Sequence, residues 1–96
     1  MIKTLCRQDR IEWSDHAAKR MLQRGLTRQR VKAAIMDGEL IEDYPDDYPY
    51  PSCLILGNGI HVVCGIGEGR IWIITAYVPS LDKWEADLRT RKEVKP

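Results

Sequence analysis

Ninety-six residues, 44% of them hydrophobic and 30% charged, make one small globular domain and exclude a disordered chain. No apolar run approaches the ~18–20 residues that cross a bilayer, and the N-terminal MIKTLCRQDR carries no apolar signal segment, so membrane and secreted classes are not expected. The net charge of +1 hides a division: Lys19, Arg20, Arg24, Arg28, Arg30 and Lys32 form a basic block, and Asp37, Glu39, Glu42, Asp43, Asp46 and Asp47 follow as an acidic one.

In chain order, Arg10 to Trp13 reads as a short strand or extended lead-in. Ser14 is a suitable N-cap for a helix from about Asp15 to Arg24, and Gly25 is its expected terminator. Thr27 caps a second helix from about Arg28 to Asp37, with Leu26 stapling onto Val31. The two helices form a compact αα unit. Glu39 to Asp43 is a candidate strand, and YPDDYPYPS (Tyr44 to Ser52) is an ordered loop, because its prolines cannot sit in a central strand. Cys53 to Leu56 and Ile60 to Cys64 flank Asn58-Gly59, a two-residue hairpin signal. Gly65 to Gly69 turns the chain into a strand from Arg70 to Tyr77. GIGEG lacks the strand–loop–helix setting of a phosphate-binding loop. After Pro79, Ser80 caps a terminal helix from about Leu81 to Arg91, with Leu81, Trp84 and Leu88 on one stripe.

The expected fold is α+β: an N-terminal αα unit packed on a three- to four-stranded antiparallel sheet, with a short C-terminal helix. A single domain covers residues 1–96, with its core at about 11–88 and a polar, fraying tail at 89–96. Cys6, Cys53 and Cys64 are an odd set without CxxC spacing. That argues against a disulfide framework or a thiolate zinc site and places the chain in a reducing cytoplasm.

His16, Arg20 and Arg24 recur at i, i+4 and i+8, one stripe of the first helix at the border of its apolar face. Imidazole moves protons near neutral pH, and guanidinium holds phosphate bidentately. The row suits a phosphodiester. His61 lies on a strand whose two faces are both apolar, and Thr75 and Tyr77 share a face near the end of the last strand. Two histidines without HxH, HExxH or paired carboxylates make no metal site, so no cofactor is expected. Metal-free RNA cleavage fits that limit: the substrate supplies the 2′-hydroxyl nucleophile, and the protein adds proton transfer and cations.

HAxxRMxxRGLT at His16 to Thr27, Gly38, the Tyr44–Pro49–Ser52 loop, IHVV at Ile60 to Val63, IITAYxP at Ile73 to Pro79 and Trp84 together resemble a family of small bacterial domains of unknown function. That family is considered similar to RelE-like and MqsR-like ribonuclease toxins of the barnase–colicin–RelE group. The resemblance implies a RelE-like fold, an RNA-cleaving toxin and a cognate antitoxin protein, often with a zinc-finger segment. His16, Arg20, Arg24, His61, Thr75 and Tyr77 fall on its motifs. His16 is then base or acid, Arg20 and Arg24 clamp phosphate, His61 or Tyr77 completes proton transfer, and Arg28 and Thr75 bind substrate. The near-neutral charge departs from the basic toxins. The competing expectation is a non-catalytic module that binds nucleic acid or protein through its basic helices and forms a homodimer through the sheet edge or the Trp84 helix.

Overall fold

Two of the three predicted caps head the helices expected of them. In the computed structural model, which describes residues 1–93, Ser14 Oγ accepts from the Ala17 N–H at 3.0 Å and Thr27 Oγ1 from the Arg30 N–H at 3.1 Å. Each satisfies a donor that the first helical turn leaves without a partner. With the Ser14 cap in place, Asp15–Gln23 is helical, as is Arg28–Asp37 beyond the Thr27 cap. In chain order the elements are α1 (Ile2–Arg7), β1 (Ile11–Trp13), α2 (Asp15–Gln23), α3 (Arg28–Asp37), β2 (Glu39–Tyr44), β3 (Ser52–Gly57), β4 (Ile60–Gly67) and β5 (Arg70–Tyr77).

The strands form one five-stranded sheet in the order β1-β5-β4-β3-β2. The α+β expectation holds, with three differences. First, β1 joins the sheet edge parallel to β5, Ile11 against Ile71 and Trp13 against Ile73, so the sheet is not wholly antiparallel. Second, α1 forms at the N-terminus and buries Cys6, whose Sγ donates to the Lys32 carbonyl of α3 at 3.7 Å. Third, the C-terminal helix does not form. Only one helical turn follows Ser80, with the Trp84 N–H on the Ser80 carbonyl at 3.0 Å. The Asp87 carboxylate then takes the Arg89 and Thr90 N–H groups, and Leu88 adopts φ +62°. A side chain that captures backbone donors in this way competes directly with helical hydrogen bonding. The segment folds back instead, with Trp84 bridging Arg91.

Residues 89–92 make specific contacts with the rest of the fold. Arg89 pairs with Glu39 at 2.6 Å, and Arg91 grips Glu42 bidentately at 2.8 and 2.9 Å. Residues 94–96 of the predicted polar tail lie outside the described residues.

Two positive-φ residues close each hairpin, Asn58 and Gly59 between β3 and β4, Glu68 and Gly69 between β4 and β5. Those are type I′ turns, whose twist matches that of the strands. The predicted Gly65–Gly69 turn thus shrinks to two residues, and Gly65 and Gly67 belong to β4. On the helix side of the sheet, Ile55, Val62, Cys64, Ile71, Ile73 and Ala76 pack against Ala17, Met21, Val31, Ala34 and Ile35. Each large aliphatic buried there contributes about 1.5–3 kcal/mol. The other face is also covered. Residues 80–91 bring Trp84 onto His61, and the Tyr44–Ser52 loop brings Tyr50 onto Trp72.

Candidate functional site

β1 ends opposite Ile73, so the β5 edge beyond it has no strand partner. Helix α2 runs along this free edge. Ser14 Oγ donates to the Ile73 carbonyl at 3.5 Å at one end. At the other, Arg24 Nη1 donates to Thr75 Oγ1 at 3.1 Å and to the Ala76 carbonyl at 2.9 Å. Arg24 thereby satisfies an edge carbonyl that a missing strand leaves open. Its Cζ stands 5.9 Å from the centre of the Tyr77 ring. Nε and Nη2 have no hydrogen-bond partner among the described residues, so the guanidinium is fixed in place and can still donate outward.

Beyond Arg24 opens a groove of about 520 Å³ walled by Arg24, Tyr77, Ser80, Lys83, Trp84 and Arg91. Three cations converge there. Arg91 lies over the Trp84 ring at 4.6 Å, and one face of its charge is spent on Glu42. That hydrogen-bonded guanidinium holds the Glu42 carboxyl below its ordinary value. Lys83 makes no ion pair among the described residues.

At the opposite end of α2, His16 lines a larger cleft of about 710 Å³ with Glu12, Asp47, Tyr50, Trp72 and Ile74. Ile74 and Tyr77 both belong to β5, so the cleft and the groove are successive stations along one strand edge. Exposed Arg20 stands between them, one turn from each of its stripe partners. The structure therefore places His16, Arg20 and Arg24 on one accessible row and sets Thr75 and Tyr77 beside Arg24. Arg28 lies apart from the groove, with its guanidinium 5.3 Å from the centre of the Trp13 ring.

His61 is not on this surface. It is wholly buried, edge-on to Trp84 at 4.4 Å and Tyr77 at 5.3 Å. One ring nitrogen, Nε2, lies 2.6 Å from the Leu88 carbonyl, which can only accept. The neutral ring must carry its proton there, and Nδ1 then accepts from the Tyr77 hydroxyl at 3.3 Å. Burial pushes the imidazole below its ordinary value. His61 and Tyr77 thus form a closed pair whose protons are committed to each other and to the backbone.

Sequence reasoning missed Lys83 and Arg91, because it placed them on a helix and a tail. It also missed the Tyr50–Trp72 stack, of which the only local sign is a run of tyrosines beside prolines. Among the described residues, no helix is long and apolar enough to cross a membrane.

A family model described as a domain of unknown function (DUF4258) matches residues 13–78. The matched span holds every predicted site residue and omits Lys83, Trp84 and Arg91. It carries no link to RelE-like or MqsR-like ribonucleases. No curated protein and no solved structure matches the chain.

Proposed function

The chain is a member of the DUF4258 family, and for this member we propose a metal-independent endoribonuclease of toxin–antitoxin type. One observation carries the reading: His16, Arg20 and the anchored Arg24 stand in a row along an open sheet edge, between an aromatic cleft and a cationic groove. A single strand of RNA offers phosphates to such a row and bases to such a cleft.

The scissile phosphate sits between His16 and Arg20. His16 accepts the 2′-hydroxyl proton, the 2′-oxygen attacks phosphorus, and the 5′-oxygen leaves and takes a proton from solvent. Arg20 neutralises the charge that builds on the phosphorane. Arg24 and Lys83 hold the neighbouring phosphate. Because the hydrogen bonds of Tyr77 and His61 are turned inward, they position Arg24 and the groove wall and take no part in proton transfer. The acidic block reaches the His16 cleft only at Asp47, which lines it. Most of it lies on or beside β2, at the far edge of the sheet, where Arg89 and Arg91 neutralise Glu39 and Glu42. An antitoxin protein covering the row would silence it.

His16→Ala and Arg20→Ala remove exposed side chains and leave the fold intact. With total RNA and EDTA, the wild type is expected to leave cyclic-phosphate ends, and each variant to cleave about 100-fold more slowly or worse. Equal cleavage by both variants would remove the site assignment. A wild type that cleaves nothing, even with translating ribosomes, while still binding RNA would establish the second reading, a non-catalytic nucleic-acid-binding module. The withdrawal of the second histidine into the core favours that reading.

A further inference from the structure

The cleft beside His16 differs in chemistry from the cationic groove. Its platform is Trp72 with Tyr50 stacked on it, ring centres 5.4 Å apart and planes 26° from parallel. Both rings are half-buried, and Trp72 is locked by donating its Nε1–H to the Gly67 carbonyl at 3.0 Å. The seat for Tyr50 depends on glycine, since a Cβ on Gly67 would stand 2.1 Å from the Tyr50 ring. Asp47 lines the same cleft, held by the Ser52 hydroxyl and paired with no cation among the described residues. Glu12 also lines the cleft but is neutralised by Arg70 at 2.8 Å.

An uncompensated carboxylate repels phosphate, so the cleft does not hold the RNA backbone. It favours a planar group whose edge donates hydrogen bonds. At about 710 Å³ the space lies within the range of small-ligand sites, ~300–1,000 Å³. Guanine alone among the RNA bases presents two adjacent donors, N1–H and the N2 amino group, to match two carboxylate oxygens. Adenine and cytosine place a ring acceptor beside their amino group, and uracil flanks its one N–H with carbonyls.

We propose that this cleft binds a guanine base of single-stranded RNA, stacked on the Tyr50–Trp72 platform with its Watson–Crick edge on Asp47. The inference rests on the RNA reading above and adds base preference to it. The base enters the cleft while the adjoining phosphates lie on Arg20 and Arg24.

The test uses the full chain and 2′-O-methyl hexamers, in which the attacking hydroxyl is blocked. One oligonucleotide is all uridine, and three others carry a single G, A or C. By fluorescence anisotropy the G hexamer is expected to bind about tenfold more tightly than the rest, as one bidentate base contact allows. Asp47→Asn is expected to cut that preference below about threefold, with the circular dichroism of the wild type. Should Asp47→Asn not fold, competition on the wild type decides, because GMP must displace the G hexamer at lower concentration than AMP. Equal affinity for all four hexamers and equal competition would overturn the guanine site while leaving the RNA reading in place. No binding to any hexamer would overturn both.

Discussion

Gly57→Ala is expected to destabilise the domain by about 3 kcal/mol or more, at the upper end of the cost of overpacking. At Gly57 the end of β3 meets the backbone of α3. A Cβ there would stand 2.0 Å from the Ala34 carbonyl oxygen and 2.7 Å from its carbon. Both are backbone atoms of a capped helix, so neither can rotate away. Relief requires α3 to lift from the sheet, and α3 carries fully buried Val31, Ala34 and Ile35. The control is Gly59→Ala, two residues on. Gly59 has φ +74° and nothing within 4 Å of an added Cβ, so only the left-handed backbone penalises alanine there, by about 1–2 kcal/mol. Thermal melts of the two variants separate the causes. At ~4–8 °C per kcal/mol for a domain of this size, Gly57→Ala should melt well below Gly59→Ala. Equal midpoints would mean that α3 is not pressed against β3 as described.

Helices α2 and α3, their caps and the β3–β4 hairpin are local features, and Ser14, Thr27 and Asn58-Gly59 announce them within a few residues. The β1–β5 pairing is not local. Three residues from Ile11 to Trp13 find a parallel partner at Ile71 to Ile73, and neither segment carries a mark of the other. The stripe of Leu81, Trp84 and Leu88 misleads because its members part company. Trp84 is buried, Leu81 is mostly exposed, and Leu88 turns left-handed to offer its carbonyl to His61. Apolar spacing is blind to Asp87, whose carboxylate redirects the backbone.

The site divides in the same way. His16, Arg20 and Arg24 are legible because helical period alone aligns them. Lys83 and Arg91 are not, since they reach the groove only through a fold-back over the second face of the sheet. That cover also explains why alternation could not orient His61. Helices bury one face of β4 and the C-terminal segment buries the other, so apolar residues point both ways.

The burial of His61 makes stability depend on pH, and the direction follows from linkage. Its folded pKa is depressed by desolvation, and the hydrogen bond to Leu88 and the Glu42 charge offset this only in part. Below its ordinary value of 6.5 the unfolded chain binds a proton that the folded chain refuses. Stability is therefore full above pH 6.5 and falls as pH is lowered from there toward the depressed folded value. The slope cannot exceed about 1.4 kcal/mol per pH unit for one proton. Glu42, whose carboxyl is held low by Arg91, adds acid sensitivity of the same sign only below its ordinary 4.5. Between these two values the slope belongs chiefly to His61. His61→Ala is expected to cost about 3 kcal/mol at pH 7.5, since it opens a cavity under Trp84 and leaves Leu88 without its donor. It should also flatten the loss between pH 6.5 and 5. Urea midpoints of the two proteins across that range provide the measurement. A wild-type profile with no slope, or one that persists unchanged in His61→Ala, would mean that the imidazole is charged or solvated in the native state.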